Sequence, residues 1–186
     1  QMDELEAWDV PYYSEKLKQE RYSISDEILR PYFPQSKALA GLFTVVEKLY
    51  GLNITEVENA DTWHKDVRLF SITDKDDNLR GQFYLDLYAR PKKRGGAWMD
   101  ECRVRRFQAC GELQTPVAYL TCNFNGPVGD KPALFTHDEV VTLFHEFGHG
   151  IHHMLTQMSV PGVSGINGVP WDAVELPSQF LENWCW

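Results

Sequence analysis

A chain of 186 residues with 43% hydrophobic and 13% aromatic content has the material for a packed core, which excludes a disordered polymer. Its net charge of −9 argues against a general nucleic-acid binder, which needs a basic surface. No long apolar run and no signal-peptide pattern near Gln1 are present, so no membrane partner is expected. The length suits one domain or one large piece of one.

In chain order, residues 1–22 are polar around Trp8, Tyr12 and Tyr13, with a short helix expected from Ser14, as cap, to Tyr22, and Leu17 as its apolar contact. Ser25-Asp26-Glu27-Ile28-Leu29 starts another short helix, which Pro31 and Pro34 should stop. Ser36 is the expected cap of a third. Leu39, Leu42, Phe43, Val46, Leu49 and Tyr50 recur at three and four, and Gly51 closes that amphipathic helix. The aromatic residues here suit core and rim better than ligand contact.

The period then changes. Val67–Thr73 and Gly81–Tyr88, separated by the turn cluster Asp74–Asn78, predict an antiparallel hairpin, and Val117–Cys122 a further strand. The organisation expected is a helical part over 1–65, a small sheet over 66–125 and paired helices over 126–186. Arg90, Lys92, Lys93, Arg94, Arg103, Arg105 and Arg106 form a local basic cluster, read as a solvated loop and charged strand face in preference to a carboxylate or phosphate site. Cys102, Cys110, Cys122 and Cys185 contain no Cys-x-x-Cys pair. Free, reduced thiols are expected, which favours the cytoplasm.

The stretch Phe144-His145-Glu146-Phe147-Gly148-His149 carries the pattern His-Glu-x-x-His. On a helix, four residues bring the second imidazole to within about 40° of the first, so both ring nitrogens can meet one zinc ion. Glu146 lies about 100° further round, where a general base stands beside the metal without binding it. Thr136-His137-Asp138-Glu139 is a capping box, and the apolar spacing from Val140 to Leu155 predicts a helix from about Thr136 to Gln157. Gly148 and Gly150 leave room for a close neighbour, either a helix or a substrate. The plainer alternative is two histidines on an ordinary core helix.

Gly162, Gly165 and Gly168 punctuate a connector ending at Pro170. Asp172-Ala173-Val174-Glu175 resembles a second capping pattern, with Pro177 tolerated in the first turns of the helix that follows. Glu175 is the expected third ligand, since two histidines and a glutamate are one attested hydrolytic set; the alternative is a capping carboxylate. His152 shares the metal-facing side but sits a turn further along, and a structural or supporting role is expected for it. His64 and His137 have no visible partners.

His145-Glu146-Phe147-Gly148-His149 followed by Val174-Glu175-Leu176-Pro177-Ser178-Gln179 resembles the thimet oligopeptidase family of zinc metallopeptidases. Trp8–Tyr13, Leu87–Trp98, Pro116–Phe124 and Gly165–Glu175 carry the resemblance over nearly the whole chain. It implies one Zn2+ held by His145, His149 and Glu175, with Glu146 as base and acid. It implies an α+β, mainly α, gluzincin-type fold in which a small antiparallel sheet precedes the zinc helix pair, and a deep channel restricting substrates to short peptides. The reaction implied is endopeptidase cleavage of oligopeptides; a peptidyl dipeptidase is the alternative within the family. Family members carry further substrate-binding Tyr and His residues downstream. The chain is therefore expected to be a piece of a longer protein, catalytically incomplete and prone to self-association through Trp184 and Trp186.

Overall fold

The computed structural model describes residues 5–186. Five α-helices occur among them: α1 (Asp9–Tyr22), α2 (Asp26–Leu29), α3 (Gln35–Tyr50), α4 (His137–Met154) and α5 (Leu176–Glu182). The strands are β1 (Asn53–Glu56), β2 (Arg68–Thr73), β3 (Leu79–Tyr88), β4 (Trp98–Arg103), β5 (Arg106–Phe107), β6 (Leu113–Gln114) and β7 (Val117–Phe124). The fold is α+β. Strand β1 falls inside the part expected to be helical.

The sheet runs β1-β2-β3-β7-β4, with β5 and β6 as a separate pair. Strands β2 and β3 form the expected antiparallel hairpin, Phe70 opposite Phe83. The sheet as a whole is mixed, not antiparallel, because β7 pairs parallel to β3, Phe83 opposite Ala118. A parallel partner needs a long crossover, and the connection over 89–116, which holds β4, β5 and β6, supplies it. Strand β7 thus lies between β3 and β4, and its Ala118, Leu120, Cys122 and Phe124 are buried.

Two helices cover one face of the sheet. Phe43 of α3 meets Phe70 and Phe83 edge-on at 5.3 and 6.4 Å, and Phe147 of α4 meets Phe83 at 5.2 Å. Leu39, Leu42 and Val46 are buried at the predicted spacing, and Gly51 ends α3 at φ +66°. The cap of α3 differs from expectation. Pro34 occupies the N-cap position and its carbonyl accepts from Lys37 and Ala38, so Ser36 lies inside the helix.

Helix α1 starts at Asp9, five residues before Ser14, and buries none of its side chains; Leu17 is exposed. Helix α5 starts at Leu176 and not at Asp172, because residues 170–174 close turns on the Pro170 carbonyl. Pro177 then occupies the first turn, where its missing N–H leaves nothing unpaired.

The basic cluster is not simply solvated. Lys93 has a 5% exposed side chain and its ammonium lies 2.8 Å from Asp86 Oδ1, 3.0 Å from the Asp86 carbonyl and 2.9 Å from the Tyr88 carbonyl. It also donates to the Cys122 carbonyl. Arg90 grips the same carboxylate with two bonds of 2.6 and 2.7 Å. A sequence window cannot show that a carboxylate on β3 faces this loop. His137 likewise has partners: Nε2 lies 2.9 Å from the Cys185 carbonyl, and the ring stands 4.5 Å from Trp186. His64 sits on the surface 3.6 Å from Asp66. The four cysteines are unpaired.

Candidate metal centre

Helix α4 is built to hold its inner face still. Thr136 Oγ1 accepts from the Glu139 amide at 3.1 Å, and Glu139 Oε2 accepts from the Thr136 amide at 2.8 Å, completing the capping box. Val140, Leu143, Phe144, Phe147, Ile151 and Met154 are buried beneath it. The helix ends at Met154, short of Gln157. Gly148 is where α5 crosses: a Cβ there would come within 2.5 Å of the Pro177 carbonyl and of Ser178 Cα. Only a hydrogen at that position lets the two helices approach so closely. Of the two neighbours expected at Gly148, a helix is the one present.

That crossing carries Glu175 to the histidines. Glu175 Oε2 lies 3.2 Å from His145 Nε2 and 3.1 Å from His149 Nε2. One ligand atom from each of the three residues falls within 4.8 Å of the others. The buried Ser178 hydroxyl stands 2.8 Å from both the carbonyl and Oε2 of Glu175, fixing the carboxylate's direction. Glu182, two turns along, accepts from His145 Nδ1 at 2.6 Å. His152 is outside the three-residue group; it borders a separate hollow with Met158, Val163 and Pro177.

The donor set fits a divalent cation. Glu182 takes His145 Nδ1, which leaves Nε2, 3.2 Å from Glu175 Oε2, as the ring atom able to serve as a ligand. Lone pairs converging at that distance are stabilised by a positive charge between them. Ligands on a tetrahedral zinc with bonds of about 2.0–2.1 Å stand about 3.3 Å apart, close to the 3.2 and 3.1 Å that separate Glu175 Oε2 from the two Nε2 atoms. Two imidazole nitrogens and one carboxylate oxygen are also donors that zinc accepts readily.

The acidities follow from position. Burial pushes the Glu146 carboxyl above the ordinary carboxylate range and the Glu175 charge adds to this, while His145 and the Met99 backbone amide oppose it. Burial lowers His149, against the pull of Glu175. The Ser178 hydroxyl holds Glu175 below its usual range; burial opposes it, and both histidines help. Two neighbouring carboxyls are thus pushed apart, one towards holding a proton and one towards holding a charge.

A groove of about 600 Å³ opens over these groups, walled by Ala97, Trp98 and Met99 of the β4 side and by Ile166, Val169 and Trp171 of the glycine-punctuated connector. Gly165 lets that connector pack tightly. At φ +65° its missing Cβ would lie 2.3 Å from Nδ1 of the fully buried His153, whose Nε2 lies 2.9 Å from the Arg103 carbonyl. Glu182 and Ser178 escaped the reading of the sequence. Their signal is the spacing Glu175, Ser178, Glu182, three and seven residues along one helix face.

Two helix-borne imidazoles and a carboxylate thus converge beside a groove, with the buried Glu146 carboxyl next to them. Residues 1–186 match the model of Peptidase family M3, and the chain belongs to that family. It is 68% identical over 185 residues to oligopeptidase A of Escherichia coli (strain K12), a match covering 100% of this chain and 27% of that protein. It is 47% identical to the organellar oligopeptidase A of Arabidopsis thaliana, over 99% of the chain and 24% of the relative. It is 38% identical to the dipeptidyl carboxypeptidase of Salmonella typhimurium, over 97% of the chain and 26% of the relative. The chain therefore spans about a quarter of the length of the curated relatives it matches.

Proposed function

We propose that the chain carries the catalytic zinc centre of an oligopeptidase that hydrolyses short peptides. The observation that carries this reading is the convergence of His145, His149 and Glu175 with the buried Glu146 in one groove. Identity of 68% to an oligopeptidase A, against 38% to a dipeptidyl carboxypeptidase, supports internal cleavage over removal of dipeptides. Four unpaired thiols support a reducing compartment such as the cytoplasm.

His145, His149 and Glu175 would hold the ion, and Glu182 orients His145 through Nδ1. Zinc held there supplies a Lewis acid for the scissile carbonyl and lowers the pKa of a water towards about 7. Glu146 takes the proton of the attacking water on its carboxylate and passes it to the leaving amine. Its raised pKa suits both halves of that task, because the proton is neither refused nor lost to solvent. Trp98, Met99, Ile166 and Val169 line the groove and give a peptide apolar walls beside the metal-binding groups.

Metal analysis coupled to cleavage of a quenched fluorescent peptide tests the reading. One zinc per chain is expected in the protein and in Glu146→Gln, with turnover lower by about 10²–10⁴-fold in the variant. Loss of zinc in step with activity would make Glu146 a ligand and overturn the assignment.

A further inference from the structure

The face of the sheet opposite α3 and α4 carries an aromatic box. Trp63 lies 5.2 Å from Tyr84 and 5.4 Å from Tyr119, nearly perpendicular to the latter, and Tyr84 lies 5.6 Å from Tyr119. The register sets Trp98 beside Thr121 and Asp100 beside Tyr119, so the four share this face. Between Trp63, Trp98, Asp100, Tyr119 and Thr121 lies a cavity of about 280 Å³.

Trp63 is 51% exposed, yet its position is fixed from below. Its Nε1–H donates to Asp86 Oδ2 at 3.2 Å, and Asp86 is the carboxylate held by Arg90 and Lys93. Burying such charges carries a desolvation penalty. Here the ion cluster holds a half-exposed indole in place, the arrangement of a preorganised wall. Trp98 is shared: it also walls the groove over His145, Glu146 and His149. Strand β4 is an edge strand of the sheet, and Trp98 on it borders both hollows, so a chain crossing that edge can reach both.

The chemistry favours a flat, neutral group. Rings of Trp63, Trp98 and Tyr119 offer edge and face contacts to an aromatic guest. Arg94 over Trp98 at 5.4 Å and Arg103 beside Tyr119 offset the Asp100 carboxylate, so the cavity has no net pull on a cationic guest. The exposed Asp100 accepts the Glu101 amide on one oxygen and leaves the other for a peptide N–H, an indole N–H or a phenol O–H.

We propose that this box is a subsite for an aromatic side chain of a peptide lying across β4, continuous with the groove of the metal centre. The proposal rests on the peptidase reading for the identity of its guest. The test measures binding, by fluorescence anisotropy, of labelled hexapeptides carrying one Phe or one Ala at each position in turn, to Glu146→Gln protein and to the same protein with Trp63→Ala. A Phe preference at one position is expected, about three- to tenfold, and Trp63→Ala should abolish it without weakening the Ala series. Tyr119→Leu carries the same test if Trp63→Ala fails to fold. Equal binding of the Phe and Ala series overturns the proposal. So does a Phe preference that survives both box variants, which would place the selectivity in the groove. A box-dependent preference in a protein that binds no zinc would keep the subsite and sink the peptidase reading. Cleavage without that preference would do the reverse.

Discussion

Two clusters of charged side chains lie on the two sides of the sheet, and they are finished to different degrees. Around Asp86 everything is closed: both carboxylate oxygens are gripped by Arg90, Lys93 and Trp63, and Lys93 also reaches three backbone carbonyls. Around Glu175 the groups converge without closing. Two Nε2 atoms and one oxygen face a common point, and the buried Nδ1 of His149 has no partner. A buried polar network whose valences are all filled stabilises a shape. One in which two imidazole nitrogens and a carboxylate oxygen converge is arranged to bind.

The largest expected effect breaks the closed cluster. Lys93→Met should remove about 3–5 kcal/mol of stability, because it leaves the Asp86 carboxylate buried with one cation fewer. Urea unfolding reads the loss. Zinc affinity of the folded fraction should stay unchanged, since no atom of this cluster touches the three ligands. A fall in affinity comparable to the fall in stability would show that the two sides of the sheet are not independent.

The open cluster should respond in the opposite sense, with affinity changing more than stability. Glu175→Ala removes a ligand atom and should weaken zinc binding by more than about 100-fold. Glu182→Gln removes only the carboxylate that fixes His145, and should weaken it by about 10–100-fold. His152→Ala should change it little, since His152 stands outside the converging group. Calorimetric titration of the three variants orders them. Equal losses in Glu175→Ala and His152→Ala would sink the ligand set.

The same contrast explains what the sequence disclosed. Helix α4 was legible because every local signal agrees: Thr136 and Glu139 cap it, its apolar spacing is helical, and His145 and His149 sit four apart on one face. Helix α3 and the β2–β3 hairpin were legible for the same reason. The parallel pairing of β3 with β7 was not, because it depends on where a 28-residue connection returns, residues 89–116, and no residue in it announces the direction. Nor was the burial of Lys93. A lysine among Arg90, Lys92 and Arg94 looks solvated until the fold sets Asp86 beneath it. Glu182 lay in plain view, seven residues beyond Glu175, but becomes informative only once the crossing at Gly148 shows which face of α5 meets α4.

Acid should distinguish the clusters without any mutation. Burial raises the Asp86 pKa, but the bonds from Arg90 and Lys93 outweigh it and leave the folded value below the ordinary one. The unfolded chain then binds more protons than the folded one over that interval, so stability rises with pH there. The contribution is fully present above about pH 4–5, beyond the ordinary range of an unfolded aspartate, and disappears as pH falls through the depressed folded value. Asp86→Asn should lower stability at neutral pH and flatten the acid limb of the curve. An acid limb of unchanged slope in that variant would assign the acid sensitivity to other depressed carboxylates, Glu56 beside Arg68 and Glu175 beside Ser178.

The smallest expected effect concerns the scaffold that the open cluster stands on. Thr136 Oγ1 satisfies the Glu139 amide, one of the four unpaired donors at the start of α4, and Thr136→Ala removes it. The expected loss is about 1 kcal/mol. Glu139 keeps its own bond to the residue-136 amide, so half of the box survives. His145 lies more than two turns into the helix, anchored by Phe144 and Phe147 in the core, so fraying at the cap should not reach it. Zinc affinity should therefore stay within experimental error while the unfolding midpoint falls. If affinity drops with the midpoint, the cap and the ligands belong to one cooperative unit, and the rigidity of the open cluster begins at the first turn of α4 rather than at its crossing with α5.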